Sequence, residues 1–159
     1  MKNLTVAQLA YLAGIIDGEG SIYIGNFSCN PKNKVPYYQT NMEVSNTDGR
    51  LIEWLINNVG GRSWKYTPNQ TPKNSRKQVF RWIISGNLLT HICKLILPYV
   101  IIKKEQCEIM IKMRETYERT GMQKGKAGTQ PLPDDILAIR KQYFLEMRSL
   151  HCRNYSKIQ

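Results

Sequence analysis

The chain has 159 residues, enough for one domain with a buried core. Its 23 lysines and arginines against 12 aspartates and glutamates leave a net charge of +11, which points to a polyanionic partner without distinguishing DNA from RNA or an anionic membrane. A membrane span is not expected, because the most apolar run, LLTHICKLILPYVII, is interrupted by His91, Lys94 and Pro98.

Thr5 to Gln8 reads as a capping box, Thr-x-x-Gln, opening a helix whose Leu9, Leu12, Ala13 and Ile16 recur at helical spacing and which is expected to end near Asp17 or Gly18. From Ser21 to Phe27 the period becomes two, with Ile22 and Ile24 on one side and Tyr23 and Gly25 on the other. CNPKNKVP reads as a loop, and Tyr37 to Val44 as a second strand. NTDGRLIEWLINNVGG is expected to form a helix stopped by Gly60 and Gly61. Two more strands, Arg62 to Thr67 and Lys77 to Ile84, flank the loop PNQTPKNS. After SGN a helix runs towards Pro98, another covers about Ile102 to Thr120, and a last one about Asp134 to Leu150, beyond the exposed connection GMQKGKAGTQPLP. The fold class is α+β: an antiparallel sheet with helices on one face and a polar, basic face opposite, in one domain with a core over about 5–120 and a helical extension over about 134–150.

Cys29, Cys93, Cys107 and Cys152 lack metal-ligand spacing, and the only histidines are His91 and His151. This argues against structural zinc and for free thiols in a reducing compartment. Lys2 and the apolar stretch after it lack a convincing cleavage site, so the first helix is read as folded protein, not as a signal peptide.

The informative stretch is LAGIIDGEG, residues 12–20. Ala10, Gly14 and Gly18 lie four residues apart, a stripe of small side chains along which another helix can approach closely. Spacing alone equally allows a helix packed inside its own domain. Glu19 falls at the carbonyl-rich helix end, where the dipole disfavours an anion and a bound cation reverses that. Two such carboxylates with nearby carbonyls would offer hard oxygen ligands suited to Mg²⁺.

These residues resemble the LAGLIDADG signature of homing endonucleases, with six of nine positions identical and Ile15, Gly18 and Glu19 as the substitutions. The order of strands and helices resembles the αββαββα core of that family, here followed by two C-terminal helices. The resemblance implies a saddle-shaped sheet lying on double-stranded DNA over roughly two helical turns, and a Mg²⁺ site at Gly18 and Glu19 that also suits Mn²⁺ or Ca²⁺. A single motif implies a homodimer, with Ala10, Leu12, Ala13, Gly14, Asp17 and Gly18 at the interface and Asp17 mainly structural.

By position in the family pattern, Asn46 is expected to order water, and Arg50 and Lys103 to surround the scissile phosphate. Alternation assigns Tyr23, Gly25, Tyr37, Gln39, Asn41, Glu43, Lys65 and Arg81 to the DNA face and Ile22, Met42, Val44, Trp64 and Trp82 to the helix-covered face. Loop lysines Lys32, Lys34 and Lys73 are expected on phosphates. The function so implied is a Mg²⁺-dependent double-strand break at a long, nearly palindromic site, cut across the minor groove with short 3′ extensions and linked to mobility of the enzyme's own intron.

Abundant Asn, Ile and Lys suit an AT-rich organelle genome, with synthesis inside the organelle. Two readings keep the fold: an intron maturase binding structured RNA, and a regulator that has lost catalysis; retention of Glu19 favours the nuclease over the latter. SIYIG contains half of a GIY-YIG nuclease signature without its first half, and an HNH nuclease would need clustered histidines.

Overall fold

The computed structural model describes residues 3–30, 33–68, 77–119 and 133–151. Its elements run α1 (Val6–Glu19), β1 (Gly20–Asn30), β2 (Asn33–Asn46), α2 (Gly49–Asn58), β3 (Arg62–Tyr66), β4 (Val79–Ser85), α3 (Gly86–Ile96), α4 (Lys104–Arg119) and α5 (Asp134–His151). The strands form one antiparallel sheet in the order β1-β2-β4-β3, the expected α+β architecture.

The capping box forms as read: Gln8 N donates to Thr5 Oγ1 at 3.3 Å and Thr5 N to Gln8 Oε1 at 2.9 Å, so two N-terminal donors find side-chain acceptors. The helix then runs to Glu19, past the expected end, and β1 begins at the next residue. Gly20 permits this direct passage. A Cβ there would lie 2.5 Å from the Ile16 carbonyl oxygen and 2.8 Å from Ile16 Cα, both backbone atoms that no rotamer can move aside.

The hairpin is longer than expected. Pairing continues from Gly20↔Val44 through Phe27↔Tyr37 and Ser28↔Pro36 to Asn30↔Asn33, so most of CNPKNKVP is strand backbone; cross-strand pairing overrides a composition that reads as loop. Asp48 caps α2, its carboxylate accepting from Arg50 N at 3.0 Å. Gly60 and Gly61 take φ of +92° and +98° in the turn into β3, where a Cβ on Gly61 would also strike the Ile83 carbonyl.

Register decides which side chains share a face. Ile22, Met42, Ile84, Val44 and Trp82 meet on the helix side and are at most 2% exposed. They pack with Leu12 and Ile16 of α1, Leu55 of α2, Leu89, Ile92 and Ile96 of α3, and Cys107, Met110 and Met113 of α4. Trp82 also gives its indole N–H to the Gly60 carbonyl at 2.7 Å, which joins the turn to the core. The C-terminal helix covers the β1–β2 end: Phe144 packs on Tyr38 with ring centres 5.7 Å apart, and His151 Nε2 donates to the Ile22 carbonyl of edge strand β1 at 2.9 Å.

Arg140 is 3% exposed, held by Thr116 Oγ1 at 2.9 Å and lying 3.8 Å from the centre of the Tyr117 ring. The Tyr117 hydroxyl donates to the Tyr38 carbonyl, linking α4 to the hairpin. No described helix is long and apolar enough to cross a membrane.

Candidate active site and nucleic-acid interface

The motif helix divides its residues by angle. Leu12 and Ala13 point into the chain's own core and are fully buried. They are therefore not available to a second copy, contrary to their place in the expected interface. Ala10, Gly14 and Gly18 lie on the exposed side, and a Cβ added at Gly14 or Gly18 would meet nothing within 4 Å. Among the described residues nothing packs against this stripe at Gly14 or Gly18.

Asp17 has a different task from either group. Its carboxylate accepts from Ile101 N at 2.8 Å and Lys103 N at 3.0 Å, fastening the α3–α4 connection to the end of α1. The residues it holds include Ile101 and Ile102, 85% and 59% exposed, an apolar pair beside the small-residue face. Lys103 is thereby fixed through its backbone beside the helix turn that carries Glu19.

Glu19 is exposed and lines an open cleft of about 290 Å³ together with Ser45, Asn46, Thr47 and Val79. The end of α1, the end of β2 and the start of β4 supply this cleft. Asn46 Oδ1 already accepts from Asp48 N at 2.8 Å, an Asx turn that leaves the Nδ2 amide without a partner among the described residues. Ser45 and Thr47 were not singled out from sequence, although the polar run SNTDG between a strand and a helix is the signal that carries them.

Arg50 is not part of the cleft lining. Its guanidinium closes on Asp48, Nε at 3.0 Å from Oδ1 and Nη2 at 2.5 Å from Oδ2, and the side chain is 89% exposed. These bonds hold the Asp48 carboxyl down to about 2.

The donors around Glu19 are a carboxylate, hydroxyls and an amide, a set suited to a hard cation such as Mg²⁺ and not to zinc. Among the described residues no group of three or more His, Cys, Asp or Glu could hold a metal ion. Among the described residues the cleft lining holds one carboxylate, that of Glu19.

The outward sheet face carries Tyr23, Gly25, Tyr37, Gln39, Asn41, Glu43 and Arg81, as alternation indicates. On β3 the expectation is reversed: Trp64 pairs with Arg81 on the outward face, while Lys65 pairs with Phe80 on the other. Trp64 and Tyr66 are 43% and 38% exposed, so this edge strand presents aromatic rings outward.

Gly25 is not an open position either, since a Cβ there would lie 2.3 Å from the Phe27 ring that covers it. Asn41 is only 4% exposed, with Oδ1 unpaired among the described residues. Tyr23 donates to Glu43 Oε2 at 3.4 Å, and burial followed by that carboxylate raises its hydroxyl pKa, keeping it a donor. Lys32 and Lys73, and the Lys34 side chain, lie outside the described residues.

The fold superposes on homing endonucleases, several of them solved with DNA. I-CvuI bound to its target in the presence of Ca superposes with a TM-score of 0.68 at 14% identity, covering 94% of this chain and 85% of that one. I-TnaI gives a TM-score of 0.60 at 16% identity, covering 94% and 95%. The I-SmaMI LAGLIDADG homing endonuclease bound to cleaved DNA gives 0.58 at 13% identity, covering 99% of this chain and 47% of that one. No protein-family model matches the sequence, and no curated protein matches it. The chain has the LAGLIDADG homing endonuclease fold.

Proposed function

We propose that the chain is a site-specific DNA endonuclease that works as a homodimer with Mg²⁺ and makes a double-strand break. The observation that carries the reading is the exposed Glu19 carboxylate, set in a polar cleft at the end of a helix whose Ala10–Gly14–Gly18 face opens onto empty space. Closing two such faces together would bring two Glu19 carboxylates close to one centre, and the match of one chain to 47% of I-SmaMI agrees with this protein being one half of such a unit.

In this reading Glu19 and the Gly18 carbonyl would hold the cation. When bound, Mg²⁺ supplies Lewis-acid polarisation of a phosphate and acidification of water. Asn46 donates its Nδ2 to the attacking water. Lys103, fixed through Asp17, places an amine against the negative charge that develops as the phosphodiester breaks. Arg50 adds positive charge at the rim, where Asp48 holds it until phosphate competes.

Phosphate contacts fix the register, and the outward sheet face reads bases in the major groove. The gene's place in a mobile intron of an organelle belongs to the same proposal; I-Vdi141I, of similar fold with a TM-score of 0.54, is described as intron-encoded.

The test compares Glu19→Gln with wild type on one duplex. Cleavage in Mg²⁺ should be lost while gel-shift affinity is kept, because the change removes charge from the cleft without touching the sheet. Cutting at the wild-type rate would remove Glu19 from the site.

A further inference from the structure

Arg81 is held by residues from the two strands that flank its own, β2 and β3. Its guanidinium carbon lies 5.7 Å and 5.2 Å from the ring centres of Trp64 and Tyr66 on β3. The Nε–H donates to Ser45 Oγ at 3.3 Å, Nε also lies 2.8 Å from Glu43 Oε1 in an ion pair, and Nη2 reaches the Tyr66 hydroxyl at 3.4 Å. Glu43 is fixed in turn by the Tyr23 hydroxyl on Oε2 at 3.4 Å and the Ser45 hydroxyl on Oε1 at 3.5 Å.

The exposed surface ion pair is the comparison to make, because such pairs are mobile and contribute little. Here the Glu43 side chain is 15% exposed and Arg81 33%, against 89% for Arg50 in its pair with Asp48. Arg81 is therefore aimed as well as paired. Its Nε–H and one Nη2 proton are used internally, which leaves the outer Nη1/Nη2 edge without a partner among the described residues.

That edge is a pair of parallel donors, the complement of guanine O6 and N7 in the major groove. Because Glu43 offsets the charge, what Arg81 retains is directional hydrogen bonding more than attraction for phosphate. Glu43 has its oxygens occupied and is poorly placed to accept from a base itself.

We propose that Arg81 reads the major-groove edge of one guanine in each half-site, and that Glu43 is the positioning residue that aims it. The proposal rests on the DNA-endonuclease reading above and adds a base identity to it. The two residues thus act as one reading unit instead of two independent base contacts.

The experiment incubates the full chain with a randomised duplex library in Ca²⁺, sequences the bound duplexes, and repeats this with Glu43→Gln, Arg81→Lys and Tyr23→Phe. Wild type should enrich a guanine at one symmetric position in each arm. Arg81→Lys should abolish that preference and leave the other positions unchanged, since lysine is a point charge without the fork.

Glu43→Gln should lower discrimination at the guanine by about 5- to 150-fold, the range of one bidentate contact, and raise affinity for unrelated duplex because an anion leaves the face. Tyr23→Phe should move discrimination the same way by less. A merely structural Glu43 would lower affinity for all duplexes equally and leave the preference intact; that result, or a guanine preference surviving Arg81→Lys, overturns the proposal. Should Glu43→Gln not fold, Arg81→Lys and Tyr23→Phe decide. A site enriched without an Arg81-dependent guanine overturns this proposal alone, whereas a wild type that enriches no sequence removes the DNA reading and this proposal with it.

Discussion

Gly14 sits in the middle of α1 with nothing within 4 Å of the position its Cβ would occupy. A glycine in a helix interior costs about 0.5–1 kcal/mol relative to alanine, and nothing among the described residues requires that cost at this position. A neighbouring helix that comes closer than the usual 8–10 Å between axes would require it. Gly14→Leu separates the two situations, because leucine favours the helix nearly as well as alanine does but projects four carbons into the space.

At dilutions where both proteins are monomeric, Gly14→Leu should melt roughly 1–4 °C higher, as a gain of up to about 1 kcal/mol gives for a domain of this size. At higher concentrations the order should reverse, because wild type gains from association by mass action and the variant does not. Sedimentation should show a wild-type dimer and a Gly14→Leu monomer, with cleavage lost alongside. A Gly14→Leu protein that dimerises and cuts like wild type would refute the interface. A destabilised monomer would mean that the face is packed within its own chain.

Three further outcomes follow from the geometry. Gly20→Ala places a methyl 2.5 Å from the Ile16 carbonyl oxygen, so it should destabilise the fold by about 1–3 kcal/mol in denaturant melts and, by moving Glu19 roughly 1 Å, slow cleavage on the order of a hundredfold; an unchanged melt and rate would contradict the close-packed junction. Asp17→Ala releases Ile101 N and Lys103 N, and should cost about 1–3 kcal/mol and slow cleavage more than it weakens DNA binding, with Lys103→Ala sharing the kinetic loss but not the stability loss.

The Asp48 carboxyl is depressed in the folded chain, from 3.8 to about 2. Its contribution is therefore complete above pH 3.8 and is lost as pH falls towards 2. Titration followed by NMR should show this, and Arg50→Ala should return the carboxyl towards its ordinary value; a carboxyl that titrates alike in both proteins would remove the pair.

Local rules carried much of this fold. The Thr5–Gln8 box, the period change after Glu19 and the glycine pair at Gly60 and Gly61 act through neighbours in sequence, and each shaped the element expected there. What misled was burial of large residues at an edge. Trp64 looks like a core residue, yet β3 is an edge strand whose register from the Gly60–Gly61 turn sets it opposite Arg81 and turns Lys65 to the other face.

The motif was legible as chemistry before it was legible as geometry. Leu12 and Ala13 belong to the same nine residues as Gly14 but lie about 100° further round per residue, on the core side. The Asp17 bonds to Ile101 and Lys103 span 84 and 86 positions, and the Glu43–Arg81 pair joins two strands. No local pattern encodes such distant partners, so their joint roles needed the folded chain.

The central claim is that Glu19 belongs to a cleavage site shared by two chains, and sequencing the cut ends from a randomised duplex library tests it most directly. Wild type with Mg²⁺ should yield double-strand ends at one long site of approximate two-fold symmetry, and none without a divalent cation. Glu19→Gln should yield none under either condition. Ends scattered over unrelated sequences, or site-specific ends that persist in Glu19→Gln, would contradict it.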